Sequence, residues 1–207
     1  KAHPNYTQIA MNMFDGKADV DMSNKGLDAG DAFIIAAALE KNDQVTGLNA
    51  FGNKIPEDIL RTIMHSNKNI SNFGGAVKLD YSGIGMDSTD AKVLAELLKD
   101  NTTVSELHAK SNGLRAAGAQ AFGEVLKTNK TLILLDLSDN EIGFLEVKNK
   151  FGRVTDSKAT PEGAAALADG LKANSTVQQL HAQNNGLGPE GAKSFGSMLE
   201  DNSTLTL

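Results

Sequence analysis

The sequence predicts an α/β solenoid: short parallel strands stacked on one face, a helix after each strand on the other, the stack bending into a horseshoe arc. Three observations predict it. The stretch Thr131 to Gly143, TLILLDLSDNEIG, sets Leu132, Leu135, Leu137, Asn140 and Ile142 in the pattern L-x-x-L-x-L-x-x-N-x-I. An asparagine stands three residues before the first apolar residue of each candidate strand: Asn42 before Val45, Asn67 before Ile70, Asn101 before Val104, Asn129 before Leu132, Asn174 before Val177 and Asn202 before Leu205. The spacing recurs, because the step from Val104 to Leu132 equals that from Val177 to Leu205. Self-similarity at a fixed period is the signature of a repeat architecture, in which each unit buries its apolar face only against its neighbours.

Taken in order, residues 1–16 lie outside the period. Tyr6, Ile9, Ala10, Met13 and Phe14 share one helical face after Pro4-Asn5, which predicts a helix capping the first rung. Residues 17–207 then hold about six rungs. The first is degenerate (Val20, Met22, Leu27), and the second has a short helix entered through Pro56. In the third, Val77, Leu79 and Ile84 are expected at strand positions, with Ser82 replacing the motif asparagine found at Asn53, Asn112, Asn140 and Asn185. These asparagines are expected to form a buried polar spine, because an apolar residue there would leave turn backbone groups unpaired, at roughly 1–3 kcal/mol each. The asparagines that end the helices are expected there for their tolerance of the left-handed conformation. Leu94/Leu98, Phe122/Leu126, Leu167/Leu171 and Phe195/Leu199 supply the helix core. The pairs Gly118-Ala119, Gly163-Ala164 and Gly191-Ala192 should let each helix lie close to the strand layer. Residues 205–207 start a rung that the sequence leaves incomplete.

The motif L-x-x-L-x-L-x-x-N-x-[LI]-G followed by G-A-x-x-[LF]-x-x-x-L-x-x-N, recurring at that period, resembles the leucine-rich repeats of the ribonuclease-inhibitor type. NOD-like receptors and Ran GTPase-activating proteins carry similar repeats. The resemblance covers residues 17–207 and implies a right-handed solenoid with parallel strands on a concave face and helices on a convex one. It implies protein binding, and as an alternative GTPase activation similar to that of the Ran activators. No residue carries over for the latter. Ala50, Ala109 and Ala182 stand where the family favours leucine, and the absence of cysteine departs from the cysteine-rich ribonuclease inhibitors.

Between Gly143 and Pro161 lies the segment Phe144 to Thr160, FLEVKNKFGRVTDSKAT, where the equivalent connection Gly188-Pro189 has nothing. Insertions in repeat proteins fall on one face, often the binding face. This one is net +2 on a chain of −6, leaving −8 elsewhere. Phe144, Leu145, Lys148, Lys150, Phe151 and Arg153 are its candidate contact residues. Two readings stand together: a partner-binding loop, and a β-hairpin folded back on the rungs. On the strands, the column between the second and third core positions reads Asp21, Asn49, Lys78, His108, Asp136, His181. His108, Asp136 and His181 are candidates for the concave face, and Phe51 in the next column is a candidate exposed anchor. No H-E-x-x-H, nucleophile setting or glycine-rich phosphate loop accompanies them, so the expectation is no catalytic residue, metal or cofactor. The acidic balance argues against a nucleic-acid partner. The longest apolar run, Ala32 to Leu39, is far short of the roughly 20 residues of a membrane span. The sequence therefore predicts an interaction scaffold that is not an enzyme, engaging a protein or multi-protein assembly. Its expected setting is intracellular, cytoplasmic or, where a targeting segment has been removed, an organelle.

Overall fold

The computed structural model describes residues 18–39, 44–66, 73–151 and 154–206, together with Phe14, Gly16, Asn42 and Ile70. The chain forms two compact units, residues 1–76 and 77–207. In the first, β1 (Asp19–Asp21) pairs parallel with β2 (Gly47–Asn49), each followed by a helix, α1 (Ala29–Leu39) and α2 (Glu57–Met64). Phe14 is helical and fully buried; the rest of the expected capping face lies outside the described residues.

The second unit holds the regular rungs. Strands β3 (Lys78–Asp80), β4 (Glu106–His108), β5 (Leu134–Asp136) and β8 (Gln179–His181) form one parallel sheet in that order. Helices α3 (Ser88–Lys99), α4 (Arg115–Thr128), α5 (Glu162–Ala173) and α6 (Gly188–Asp201) follow them. Leu79 pairs with Leu107, Leu107 with Leu135, and Leu135 with Leu180. The first two steps each equal the repeat period. The third is longer and skips an antiparallel hairpin, β6 (Phe144–Lys148) and β7 (Val154–Ala159). The ladder thus passes straight from β5 to β8, and the insertion stands outside it.

Two asparagine ladders hold the rungs. In the turn after each strand, Asn112 Oδ1 accepts from the Gly85 and Met86 amides of the preceding rung, both at 3.0 Å. Its Nδ2 donates to Tyr81 O at 2.9 Å and Ala109 O at 3.0 Å. Asn185 repeats this, accepting from Asn140 N (2.8 Å) and Ile142 N (3.3 Å) and donating to Leu137 O (2.8 Å). Asn53 does the same in the first unit, with Lys25, Leu27 and Met22. The second ladder lies at the helix ends. Asn129 Oδ1 caps the Thr131 and Leu132 amides, while Nδ2 donates back to Leu98 O at 2.8 Å. Asn174 reaches Leu126 O at 2.8 Å and Asn202 reaches Leu171 O at 2.7 Å in the same way. These asparagines are not left-handed, as the sequence led us to expect: their φ values are −63°, −91° and −87°, with extended ψ. The residue is required for a side chain that accepts locally and donates to the previous helix's orphan carbonyl.

The third rung departs from its sequence reading. Ile70 is a buried helical residue, Asn67 lies outside the described residues, and the strand begins at Lys78. Leu79, not Val77, is the central core residue, and Tyr81 fills the next core position. Val77 is 60% exposed. The expected register is therefore two positions early, a slip that the period-2 alternation at Leu79 and Tyr81 does not reveal and that leaves Val77 ahead of the strand. The spine position becomes Ile84 rather than Ser82, whose amide instead binds Asp80 Oδ1 at 3.1 Å.

Rung spacing is set by helix against helix and, at Gly163, also by helix against the turn after β5, where a Cβ would lie 2.6 Å from Ile142 O. A Cβ on Gly118 would lie 2.9 Å from Ala91 Cβ, and one on Gly191 2.9 Å from Ala164 Cβ. One on Gly163 would lie 2.8 Å from the Ala116 backbone. The helix core is buried as expected through Leu171, but Leu199 on α6 is 46% exposed, because no described helix follows to cover it.

Asn129→Ala should destabilise the protein by about 2–3 kcal/mol, since two inter-rung bonds and an amide cap are lost together. Asn129→Asp, which keeps the acceptor but loses the donor and buries a charge among carbonyls, should cost at least as much. Urea unfolding measures both; an aspartate variant as stable as wild type would remove the donor role.

Candidate interaction surface

The sheet's outward face is a grid of side chains about 4.8 Å apart between strands. Register places Asp80, His108, Asp136 and His181 in one column, so Lys78 stands beside Glu106 and not beside His108. His108, Asp136 and His181 are brought together as expected. The aspartates also do local work at the strand ends: Asp80 accepts from Ser82, and Asp136 accepts from Ser138 N at 3.0 Å and Ser138 Oγ at 2.6 Å. Ser82 holds the Asp80 carboxyl below the usual carboxylate range, with smaller help from His108 and Lys78. Asp80 therefore remains ionised above that range, and any stability it adds fades as pH falls through its lowered value. His108 Nε2 has no hydrogen-bond partner and lies 3.8 Å from Glu106 Oε2. Among the described residues no three His, Cys, Asp or Glu side chains gather as a metal site.

At the other end of the strands, just before they begin, Val77 and Ile133 expose aliphatic surface, at 60% and 41%. Backbone bonds fix that row: Ser105 N donates to Val77 O, Ile133 N to Ser105 O, and Gln178 N to Ile133 O, each at 2.8 Å. Sequence reading misses Val77 because the two-position slip assigns it to the core. It errs in the other direction at Phe51, the expected exposed anchor, which is fully buried. The alternation that puts Phe51 on the open face ends at Asn49, where the strand stops and the chain turns.

The insertion forms the hairpin that alternation at Leu145 and Val147 suggests. Phe144 pairs with Ala159 and Val147 with Asp156, with a bulge before Lys148. Its base packs on the rungs. The Phe144 ring lies against Gly186, where a Cβ would collide with it, and Leu145 is half-buried. Arg115, at the start of α4, meets Glu141 at 3.1 Å and Glu146 at 3.4 Å, and Lys148 meets Glu146 at 2.9 Å. Both Arg115 and Glu141 are left-handed, with φ of 54° and 55°. The equivalent residues in the last rung are the glycines Gly188 and Gly186. Toward the tip, Lys148 and Lys150 are exposed and Phe151 is 76% exposed; Arg153 lies outside the described residues. The hairpin is thus seated on the rungs at its base, as the reading of a β-hairpin folded back on them expects.

A parallel ladder of short strands, with asparagines closing the turns at Asn53, Asn112, Asn140 and Asn185 and the helix ends at Asn129, Asn174 and Asn202, has the architecture of a leucine-rich repeat fold. Residues 128–143 and 173–196 match the family model described as leucine rich repeat. The chain is 32% identical over 116 residues to leucine-rich repeat-containing protein 45 of Gallus gallus, covering 56% of this chain and 15% of that protein. It is 28% identical over 136 residues to the ribonuclease inhibitor of Sus scrofa, covering 59% of this chain and 30% of that one. The chain therefore spans less than a third of either relative. Among solved structures it is similar to a Caenorhabditis elegans tropomodulin C-terminal domain (TM-score 0.49, 10% identity, 95% of this chain and 92% of that one). It is also similar to leiomodin-1 actin-binding site 2 (TM-score 0.42, 16% identity, 95% and 88%). Residues 128–143 and 173–196 are thus leucine-rich repeats by sequence, and the chain is similar to proteins that carry such repeats, the ribonuclease inhibitor among them. No helix among the described residues is long and apolar enough to cross a membrane.

Arg115→Ala should loosen the hairpin without disturbing the sheet. Hydrogen exchange should quicken at residues 144–148 and stay unchanged at Leu107 and Leu135; unchanged exchange in the hairpin would show that the ion pairs do not hold it. Deleting residues 144–160 to join Gly143 to Pro161 should preserve the cooperative unfolding of the rungs, because Gly188-Pro189 already makes that connection. Thermal unfolding followed by circular dichroism reports it, and loss of the transition would mean that the insert completes the core.

Proposed function

We propose that this chain is a non-catalytic protein-interaction scaffold, a structural or regulatory part of a larger assembly, that engages a protein partner through the outward face of the β3-β4-β5-β8 sheet. The observation that carries the reading is that Val77 and Ile133 are exposed where the strands start, while Asp80, His108, Asp136 and His181 form a polar column where the strands end. Exposed aliphatics flanked by ordered polar groups have the anatomy of a contact surface, an apolar centre with a polar rim. The ladders hold these side chains in a fixed grid, so little ordering entropy opposes binding. Leucine-rich repeat proteins generally bind other proteins, which agrees with this use of the face.

Capture from the native source with the intact chain, beside Val77→Asp and Ile133→Asp, tests the reading. Each charge placed at the apolar row should weaken retention of the partner by about tenfold or more, the effect expected of a central contact. A partner held equally by both variants would exclude this face.

A further inference from the structure

The hairpin stands outside the ladder, yet its base is secured at a cost. Arg115 and Glu141 occupy left-handed conformations that suit glycine, and their side chains meet where the hairpin leaves the rung. Strain held at two such positions marks a feature that the surrounding structure is built to keep. What the clamp presents is an exposed Phe151 ring with Lys150 Nζ 5.0 Å from its centroid, and exposed Val147, Lys148 and Lys158 nearby on the two strands. A lone surface phenylalanine needs no explanation. A clamped one, with a lysine at its ring, on a chain that is −8 outside the insertion does. The length of β6 carries the tip about 15 Å from the rung. That exceeds the roughly 8 Å over which charges are screened at physiological salt, so the acidic remainder does not cancel the field of the lysines.

We propose that the exposed outer part of the hairpin docks an acidic protein segment: Phe151 and Val147 take its apolar side chains while Lys150 and Lys158, neither ion-paired among the described residues, pair with its carboxylates. The inference rests on the protein-binding reading above but uses a different surface. A local acidic segment suits this geometry better than an anionic membrane, which would bring an extended negative plane toward a body of −8.

The test is fluorescence anisotropy with a labelled peptide alternating Glu or Asp with Leu, a Lys-for-acid counterpart, and vesicles of phosphatidylcholine with phosphatidylserine. The intact chain should bind the acidic peptide and not the basic one, more weakly as salt rises. Phe151→Ser should lower affinity by about tenfold, and Lys150→Glu with Lys158→Glu should lower it further and flatten the salt dependence. Unfolding midpoints should stay at the wild-type value, since these side chains are exposed and lie outside the Arg115–Glu146–Lys148 contacts, and Ile133→Asp should bind the peptide normally. The proposal is overturned by no binding to the acidic peptide, by binding indifferent to the hairpin variants, or by stronger binding to the vesicles. Peptide binding lost only in Ile133→Asp would also overturn it, and would leave the scaffold reading standing with the sheet as its site.

Discussion

The structure depends on one repeated interaction, an asparagine amide that bonds both its own rung and the rung before it. Such short strands make too few ladder bonds to fix their own register, and every rung leaves orphan carbonyls at its helix end and orphan amides in its turn. Asn112 and Asn185 satisfy the turn, and Asn129, Asn174 and Asn202 satisfy the helix ends of the rungs before them. The geometry needs a short side chain with both an acceptor and a donor. Aspartate lacks the donor and glutamine is one methylene longer. Close helix packing through Gly118 and Gly191 then sets the spacing at which those amides reach. Stability and the layout of the exposed grid thus have a common origin.

That rigidity divides the surface by role. Where the asparagine pattern is kept, the outward side chains form a fixed array. Where the chain breaks its own repeat, between Gly143 and Pro161, it adds a hairpin and secures it with Arg115, Glu141 and Glu146. The left-handed Arg115 and Glu141 are departures from glycine that the repeat alone does not require. They acquire a purpose once the hairpin is in view.

Much of this is legible in the sequence, because apolar spacing and asparagine position both follow from the repeat period. Leu107, Leu135 and the spine at Asn53, Asn112, Asn140 and Asn185 stand where the motif puts them. The third rung is not legible, since a two-position shift preserves alternation and no motif asparagine marks the right register. The hidden position is Val77, which exposes apolar surface instead of burying it. Phe51 is misjudged when alternation is carried past the end of the short β2 strand. The helix-end asparagines mislead for another reason: sequence shows the residue but not the previous rung's carbonyl. The Arg115 clamp carries no local signal, as its partners Glu141 and Glu146 come from the following rung's turn and from the hairpin.

The most direct measurement is native-state hydrogen exchange at the Leu132 and Val177 amides, whose acceptors are the side chains of Asn129 and Asn174. If the asparagine ladders hold the rungs together, these turn amides exchange as slowly as Leu107 and Leu135 in the sheet, and only through global unfolding. Exchange at the rate of exposed turn amides would contradict the account and return the stability of the stack to apolar packing alone.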